Sequence, residues 1–413
     1  MTLQAGFAHP RRGGAYMLVL GATTLLTVLG LSSMIIARLE RNVAKDAGSG
    51  PQARLVAASG LELAVNTISA ASSSRATVGS PFYSGGGPGG TTLTVTITDP
   101  DDGNLTDSET DSLSVDSTAA HRGLTFRTRA TFDPEFVANP RLAYGVVAEG
   151  GMTFNSATVF SSAGLFSGGG VSTNSSTIVG QLRAVGTASG SGYTPAALNN
   201  QPALPAVDAS VFSRWTSVAT AISISSLSGK KLENVVLGPN LNPYGAGNAQ
   251  GIYVIDCGGQ EINVADMRLR GTLILINPDP TSEFNGFVTM EPNSPDAPVL
   301  LVSGSMIMDL KPGDFSESVE NRNLNPPGAA YDGVTDSDKN DVYAPVLSGL
   351  VYVSGNLTLK QSSTFDGVLL VGGTLIVDKN LVVWHRAPLP TPLGFRTFSE
   401  WNLDAATLRR IVE

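Results

Sequence analysis

Cysteine is almost missing from this chain. Cys257 is the one copy in 413 residues, so no internal disulfide and no thiolate metal site can form, and any part outside the cytoplasm must hold together by packing. Charge is scarce too: charged side chains are 15% of the sequence, against about 25% in an average soluble chain. That excludes a disordered polyelectrolyte and a coiled coil. The balance of 26 basic against 35 acidic residues gives a net charge of −9, and the basic ones form no long run, so nucleic acid is not an expected partner. The 3 histidines, His9, His121 and His385, stand in no recognisable constellation; His385, after Trp384 at a strand end, reads as a surface or cap residue. H-E-x-x-H, G-x-S-x-G and the P-loop are absent, which leaves no motif for metalloprotease, hydrolase or NTPase chemistry. No catalytic residue and no cofactor-binding residue is nominated.

What the chain does have is one long apolar run. Residues 13–37 carry no charge between Arg12 and Arg38, and include Leu18, Val19, Leu20, Leu25, Leu26, Val28, Leu29, Leu31, Ile35 and Ile36. As a helix they extend about 37 Å, enough for a hydrocarbon layer of roughly 30 Å. The run exceeds the apolar core of a cleaved signal peptide and no A-x-A site follows it, so a retained transmembrane helix in contact with membrane lipid is expected. Residues 38–70 continue it, with Ala57, Leu61, Ala64, Val65 and Ile68 at the three- and four-residue spacing of an amphipathic helix. Gly48, Ser49, Gly50 and Pro51 are expected to kink or split the rod.

The residues that flank the run form a pattern: Arg12-Gly13-Gly14, then Leu26-Thr27-Val28-Leu29-Gly30, Arg38-Leu39-Glu40-Arg41-Asn42-Val43-Ala44, and Ala53-Arg54-Leu55-Val56-Ala57-Ala58-Ser59-Gly60-Leu61-Glu62-Leu63-Ala64. This N-terminal part resembles PilX-like minor pilins and related pseudopilins. The resemblance implies an inner-membrane anchor, with residues 1–12 in the cytoplasm and the body periplasmic or extracellular. It also implies prepilin processing between Gly14 and Ala15, and pilus or secretion-system subunits as partners. In a chain so trimmed the fifth residue is Val19, where major pilins place glutamate. Counting Lys and Arg alone points the other way, because Arg38, Arg41, Lys45 and Arg54 follow the run while Arg11 and Arg12 precede it. A body rich in Gly, Ser, Thr and Asn suits the envelope, and the expected orientation follows the resemblance.

Residues 71–140 read as a Ser- and Gly-rich linker, 71–90, followed by a small β segment. Gly85 to Gly90 satisfies G-x-G-x-x-G in form, yet no strand is expected before it and no helix after it, so no dinucleotide site is expected. Leu93, Val95 and Ile97 alternate with threonines, and after a long acidic turn Leu124, Phe126 and Ala130 alternate again, which is the pattern of antiparallel strands.

The main body, 141–386, repeats itself. Residues 143–160 align on 162–179 with a period of 19, which puts Gly145 on Gly164, Val146 on Leu165, Asn155 on Asn174, Ser156 on Ser175 and Val159 on Ile178. Residues 348–365 align on 366–383 with a period of 18, placing Gly349 on Gly367, Val353 on Val371, Gly355 on Gly373 and Leu357 on Leu375. A related phrase, residues 302–308, matches 353–359. Each unit holds two or three alternating strands too short to bury a face alone, so neighbours must stack to close a core. The expected fold is therefore mainly β, a parallel β-helix preceded by the transmembrane and amphipathic helix and by a small antiparallel segment. A β-sandwich is the alternative, since antiparallel strands alternate in the same way. The later units are similar to bactofilin-like polymer formers and to polysaccharide-active β-helices.

Two insertions are expected in the body. Val211, Trp215, Val218 and Ile222, opened by Asp208 or Ser210, predict one amphipathic helix near 208–224 that covers an open end or side. Residues 311–345 predict a polar surface loop, and the tail, 387–413, ends in a short helix candidate at 403–412. For metals, Asp336, Asp338, Asn340 and Asp341 reproduce the start of a calcium loop without its glycine or its closing glutamate, and residues 99–104 form a weaker candidate. Asp256, Glu261, Asp266 and Arg270 are the set that a carbohydrate-active enzyme would have to bring together. The function expected is non-enzymatic: a pilin-like envelope protein of a type IV pilus or type II secretion-like assembly, with a body for adhesion or packing and a polysaccharide or protein ligand. A membrane-tethered carbohydrate-active enzyme and a bactofilin-like scaffold are the alternatives.

Overall fold

The computed structural model describes residues 13–70, 81–105, 111–295, 297–331, 333–385 and 394–411. Two compact units divide the chain: residues 1–135 with 398–413, and residues 136–397.

In the first unit, helix α1 (Gly13–Ala70) is continuous through Pro51, where the sequence predicts a kink or split. Loss of one backbone donor and the ring clash cost about 3 kcal/mol. Just beyond it, Val56, Ala57, Leu61, Ala64 and Ile68 are buried against the sheet, and each large apolar side chain contributes about 1.5–3 kcal/mol on burial. Packing therefore outweighs the proline.

The sheet is built from β1 (Tyr83–Gly87), β2 (Thr91–Thr98), β3 (Leu113–His121) and β4 (Leu124–Ala138), with antiparallel pairing throughout. Leu93, Val95, Ile97, Leu113, Val115, Ala119, Ala130 and Phe132 face the helix. Two expectations are corrected here. β1 occupies part of the glycine-rich stretch at 71–90, where the sequence predicts a linker, because Gly86 and Gly87 pair with Thr92 and Thr91. β3 lies where a long acidic turn was expected; small inward residues such as Ala119 weaken its alternating signal. The C-terminal strand, Arg396–Ile411, joins the same sheet beside β4, so the predicted helix over 403–412 is absent from its described part, 403–411. Thr131 N donates to Thr407 Oγ1 at 2.8 Å; the long open edge of β4 overrides helical propensity.

The second unit holds a small antiparallel pair in which Phe315 lies opposite Tyr343, and it is built on one large sheet whose described strand pairings are all parallel. Its strands fall into three ladders, and each pass of the chain supplies all three. In the first ladder Tyr253, Leu273, Leu300, Val351, Leu369, Val146, Leu165 and Leu182 are successive partners. In the second, Val264, Phe284, Met308, Leu359, Val377 and Phe154 are. In the third, Leu269, Met290, Leu347, Phe365 and Val383 are. All these side chains belong to one buried cluster.

Both repeat periods are real pairings: Val146 sits on Leu165 and Asn155 on Asn174, and Gly349 sits on Gly367 and Leu357 on Leu375. Ser156 and Ser175 share the same positive φ, 51° and 50°. The order of stacking departs from the order of the chain. The chain enters in the middle of the stack, winds outward to residue 198, crosses to the far end at Thr220, and winds back until Leu369 pairs with Val146. The crossing lies on the outer face of the first ladder, where Val207, Val211 and Trp215 are buried with Ile274, Leu301 and Phe166. Arg141, 6% exposed, fastens it by donating to the Pro205 and Leu204 carbonyls and pairing with Glu149. Helix α2 spans Val211–Thr216 alone, shorter than predicted: Val218 is exposed and Ile222 is buried beyond a strand residue pair, Thr220–Ala221. Its start has no side-chain cap on Ser210; Asp208 accepts from Ser210 N instead.

Candidate functional site

The membrane-crossing candidate is built directly from sequence. From Tyr16 to Val43 the large apolar side chains of α1 are all more than half exposed, and Tyr16–Ile68 is the one described helix long and apolar enough to cross a membrane. In water such a face is strongly unfavourable, at about 25 cal/mol per Å². Threonines and serines within it, including Thr23, Thr27 and Ser32, donate to carbonyls four residues back, so their hydroxyls are satisfied inside the helix. Gly14 and Ala15 fall in its first turn; residues 1–12, and with them His9, lie outside the described residues.

An apolar groove of about 860 Å³ lies within the same unit, between the C-terminal half of α1, β4 and the C-terminal strand. Leu61, Val65, Phe126, Phe132, Trp401 and Leu403 line it, together with the charged side chains of Arg54, Glu62 and Arg409. No single sequence segment carries this signal, because its walls come from three distant stretches.

The polar loop, 311–345, is not only a surface excursion. Phe315, Leu324, Ala329 and Tyr343 form a core of their own with Val236 and Phe287. Arg268, 1% exposed, ties it to the sheet by donating to the carbonyls of Leu324 (2.7 Å), Ala329 and Ala330 (2.6 Å), and pairs with Glu291. Within this loop the structure brings together Glu317, Asp336 and Asp341, with one carboxylate oxygen of each lying within 4.8 Å of the others. Glu317, the first residue of helix α3 (Glu317–Glu320), is fully buried. It accepts from Leu324 N at 2.5 Å, Tyr343 Oη at 3.0 Å and Asp341 N at 3.2 Å. Burial, then the charges of Asp336, Glu317 and Asp338, push the Asp341 carboxyl above its usual range.

Of the four residues singled out from sequence, Asp336 and Asp341 join this cluster. Asp338 and Asn340 are exposed, and Asp338 Oδ1 accepts from Asn340 N in a turn. Glu317 and Asn325 were missed, since they lie 19 and 11 residues before Asp336 and no loop motif spans that distance. The weaker candidate contributes Asp99 and Asp101, which meet Asp111.

Two of the four residues that carbohydrate chemistry would need are engaged in backbone hydrogen bonds. Asp256 Oδ1 accepts from Gly258 N, and Asp266 Oδ1 from Phe287 N. Neither these two nor Glu261 falls in a described cluster of three ligating side chains. His385 is half-buried, with Nε2 bonded to the Leu142 carbonyl at 2.8 Å, a structural role. His121 is 8% exposed in β3, and its Nδ1 has no described partner.

No family model and no curated protein sequence matches the chain. Among solved structures, the competence-associated pilin ComZ from Thermus thermophilus is similar at 9% identity and a TM-score of 0.32, over 80% of this chain and 86% of that one. An ice-binding protein from the Antarctic ascomycete Antarctomyces psychrotrophicus is similar at 11% identity and a TM-score of 0.24, over 61% of this chain and all of that one. A further ice-binding protein, from an Antarctic biological consortium, gives 10% identity and a TM-score of 0.24, over 60% and 91%. These are remote likenesses.

Proposed function

We propose that this chain is a membrane-anchored, non-enzymatic envelope protein that acts as a pilin-like component of a type IV pilus or type II secretion-like assembly. The observation that carries the reading is the division of labour along α1. Its N-terminal half exposes an unbroken apolar surface, and its C-terminal half is buried on a small antiparallel sheet. That is the layout expected from the resemblance to PilX-like minor pilins. In this reading the inner membrane holds the first half, and the body stands on the periplasmic or extracellular side. We infer further that the three ladders of residues 136–397 close on each other as a three-sided parallel β-solenoid, supported by the common core of their inward rows. Such a body presents an extended, rigid surface to a protein or polysaccharide, for adhesion or packing.

Crosslinking in intact cells, followed by membrane extraction and mass spectrometry, tests the assembly: pilus or secretion subunits are expected to accompany the chain, and their consistent absence rejects the role. N-terminal sequencing tests processing, with Ala15 expected as the first residue of the mature protein.

A further inference from the structure

The third ladder carries an aromatic patch that the pilus reading does not use. On the strand Leu381–Trp384, Leu381 and Val383 are buried in the core, so Trp384 points outward and is 51% exposed. It is the one exposed tryptophan of the three. Its ring leans on Phe160 of the next pass, with centroids 4.7 Å apart. Beside it opens a cavity of about 490 Å³ lined by Val346, Thr364, Asp366, Trp384 and His385. We propose that this cavity holds a sugar ring of a neutral polysaccharide whose chain continues along the ladder. This choice of ligand rests on the reading of the body as a surface for a protein or polysaccharide, and it is independent of pilus assembly.

A pyranose has an apolar C–H face and a rim of hydroxyls. The indole gives the first a flat support already held by Phe160, so little freedom is lost on binding. The rim meets Thr364 and Asp366, which lies in register beside Trp384. A carboxylate has about four lone-pair sites, so it accepts from hydroxyls in addition to its other contacts. His385 Nε2 is committed to the Leu142 carbonyl; a carbonyl only accepts, so that nitrogen carries the proton and Nδ1 of the neutral ring is an acceptor. The lining contains no Lys or Arg, which disfavours sulfated, phosphorylated or uronic sugars beside Asp366. A dry protein contact fits less well, because covering a carboxylate without donors is costly.

That the ligand is a polymer follows from register. Val346, Thr364, Val382, Phe160, Val179 and Thr194 are successive outward partners, none of them buried, and they form one strip past Trp384. Its steps are about 4.8 Å, close to the length of one ring in an extended glycan, so each pass meets one sugar.

The test applies the purified full chain, in a detergent without a sugar headgroup, to an array of neutral and acidic glycans. Neutral polysaccharide is expected to bind, and soluble oligomers of the bound glycan are expected to shield Trp384 from acrylamide quenching. Trp384→Ala should weaken binding about tenfold or more, and Trp384→Phe, which keeps a ring, should retain most of it. If Trp384→Ala does not fold, shielding of the wild-type indole decides. A glycan bound equally by folded Trp384→Ala removes this site while leaving the body a polysaccharide surface. The proposal is also overturned if no neutral glycan binds, if acidic glycans bind as tightly, or if choline alone shields the indole, which makes it a cation site.

Discussion

Asn155 Nδ2 donates to Asp378 Oδ1 at 2.9 Å, although 223 residues separate them along the chain. This bond lies where the two repeat blocks meet, at the same junction as the pair Leu369–Val146 and one ladder along from it, just after the pair Val377–Phe154. The same junction shows in the corner glycines: Gly373 N donates to the Gly355 carbonyl, and Gly150 N to that of Gly373, both at 2.9 Å. The first and last passes thus join in a single stack, through contacts between residues 223 positions apart in the chain.

Leu369 is fully buried at this junction. Leu369→Ala is expected to cost about 2–5 kcal/mol and to lower the stability of both repeat blocks together. Hydrogen exchange on residues 146–184 and 346–384 checks this; loss of protection confined to one block refutes the cooperative closure.

A corner glycine gives a second test. A Cβ on Gly169 would lie 1.9 Å from the Gly150 carbonyl oxygen, a backbone atom that cannot step aside. Gly169→Ala is expected to cost more than the 1–3 kcal/mol or so of ordinary overpacking, read by chemical denaturation. A neutral result refutes the close stacking of the corners.

Gly60 and Ser117 set the approach of α1 to its sheet. A Cβ on Gly60 would fall 2.1 Å from Ser117 Oγ and about as far as 3.0 Å from Leu93 Cδ1. Alanine here gains about 1 kcal/mol of helix propensity, yet Gly60→Ala is expected to destabilise because the clash outweighs it. Ser117→Ala removes the nearest atom, a buried hydroxyl without a partner, and should restore the stability in the double variant. Thermal melts of the four proteins decide.

Asp116 predicts a pH dependence. Burial alone would raise its carboxyl, but the hydrogen bonds and charges of Arg129 and Arg127 outweigh burial and hold it below its usual value. Arg129 makes two bonds to it, at 2.9 and 2.6 Å. A folded value lower than the unfolded one, near 3.9, means the stabilisation is present above about pH 4 and lost as pH falls through the folded value. Melts between pH 2 and 6 should show a steeper acid loss for the wild type than for Asp116→Asn; equal slopes refute the assignment.

Cys257 is fully buried, and burial, then the charge of Asp256, pushes its thiol up to about 12. Because the thiolate is the nucleophile, iodoacetamide at pH 8 is expected to leave the native chain unmodified and to label it once only on unfolding. Labelling of the native protein at the rate of a free thiol refutes this burial.

The sequence alone determined whatever rests on local spacing. The apolar run at 13–37, the helical period after it and the two repeat periods were legible because each comes from neighbouring residues that share one environment. Asp336 and Asp341 were legible as a short acidic pattern for the same reason. Tertiary structure decided where edges and partners lie. The C-terminal strand exists because β4 offers an open edge, α1 runs through Pro51 because a sheet rewards the turn beyond it, and Leu369 meets Val146 because the exposed edge of each repeat block is paired and its apolar row buried when the two blocks stack. Glu317 and Asn325 reach Asp336 only after the loop has folded over Arg268, and no periodicity along the chain encodes a contact that depends on a buried guanidinium drawing separate carbonyls together.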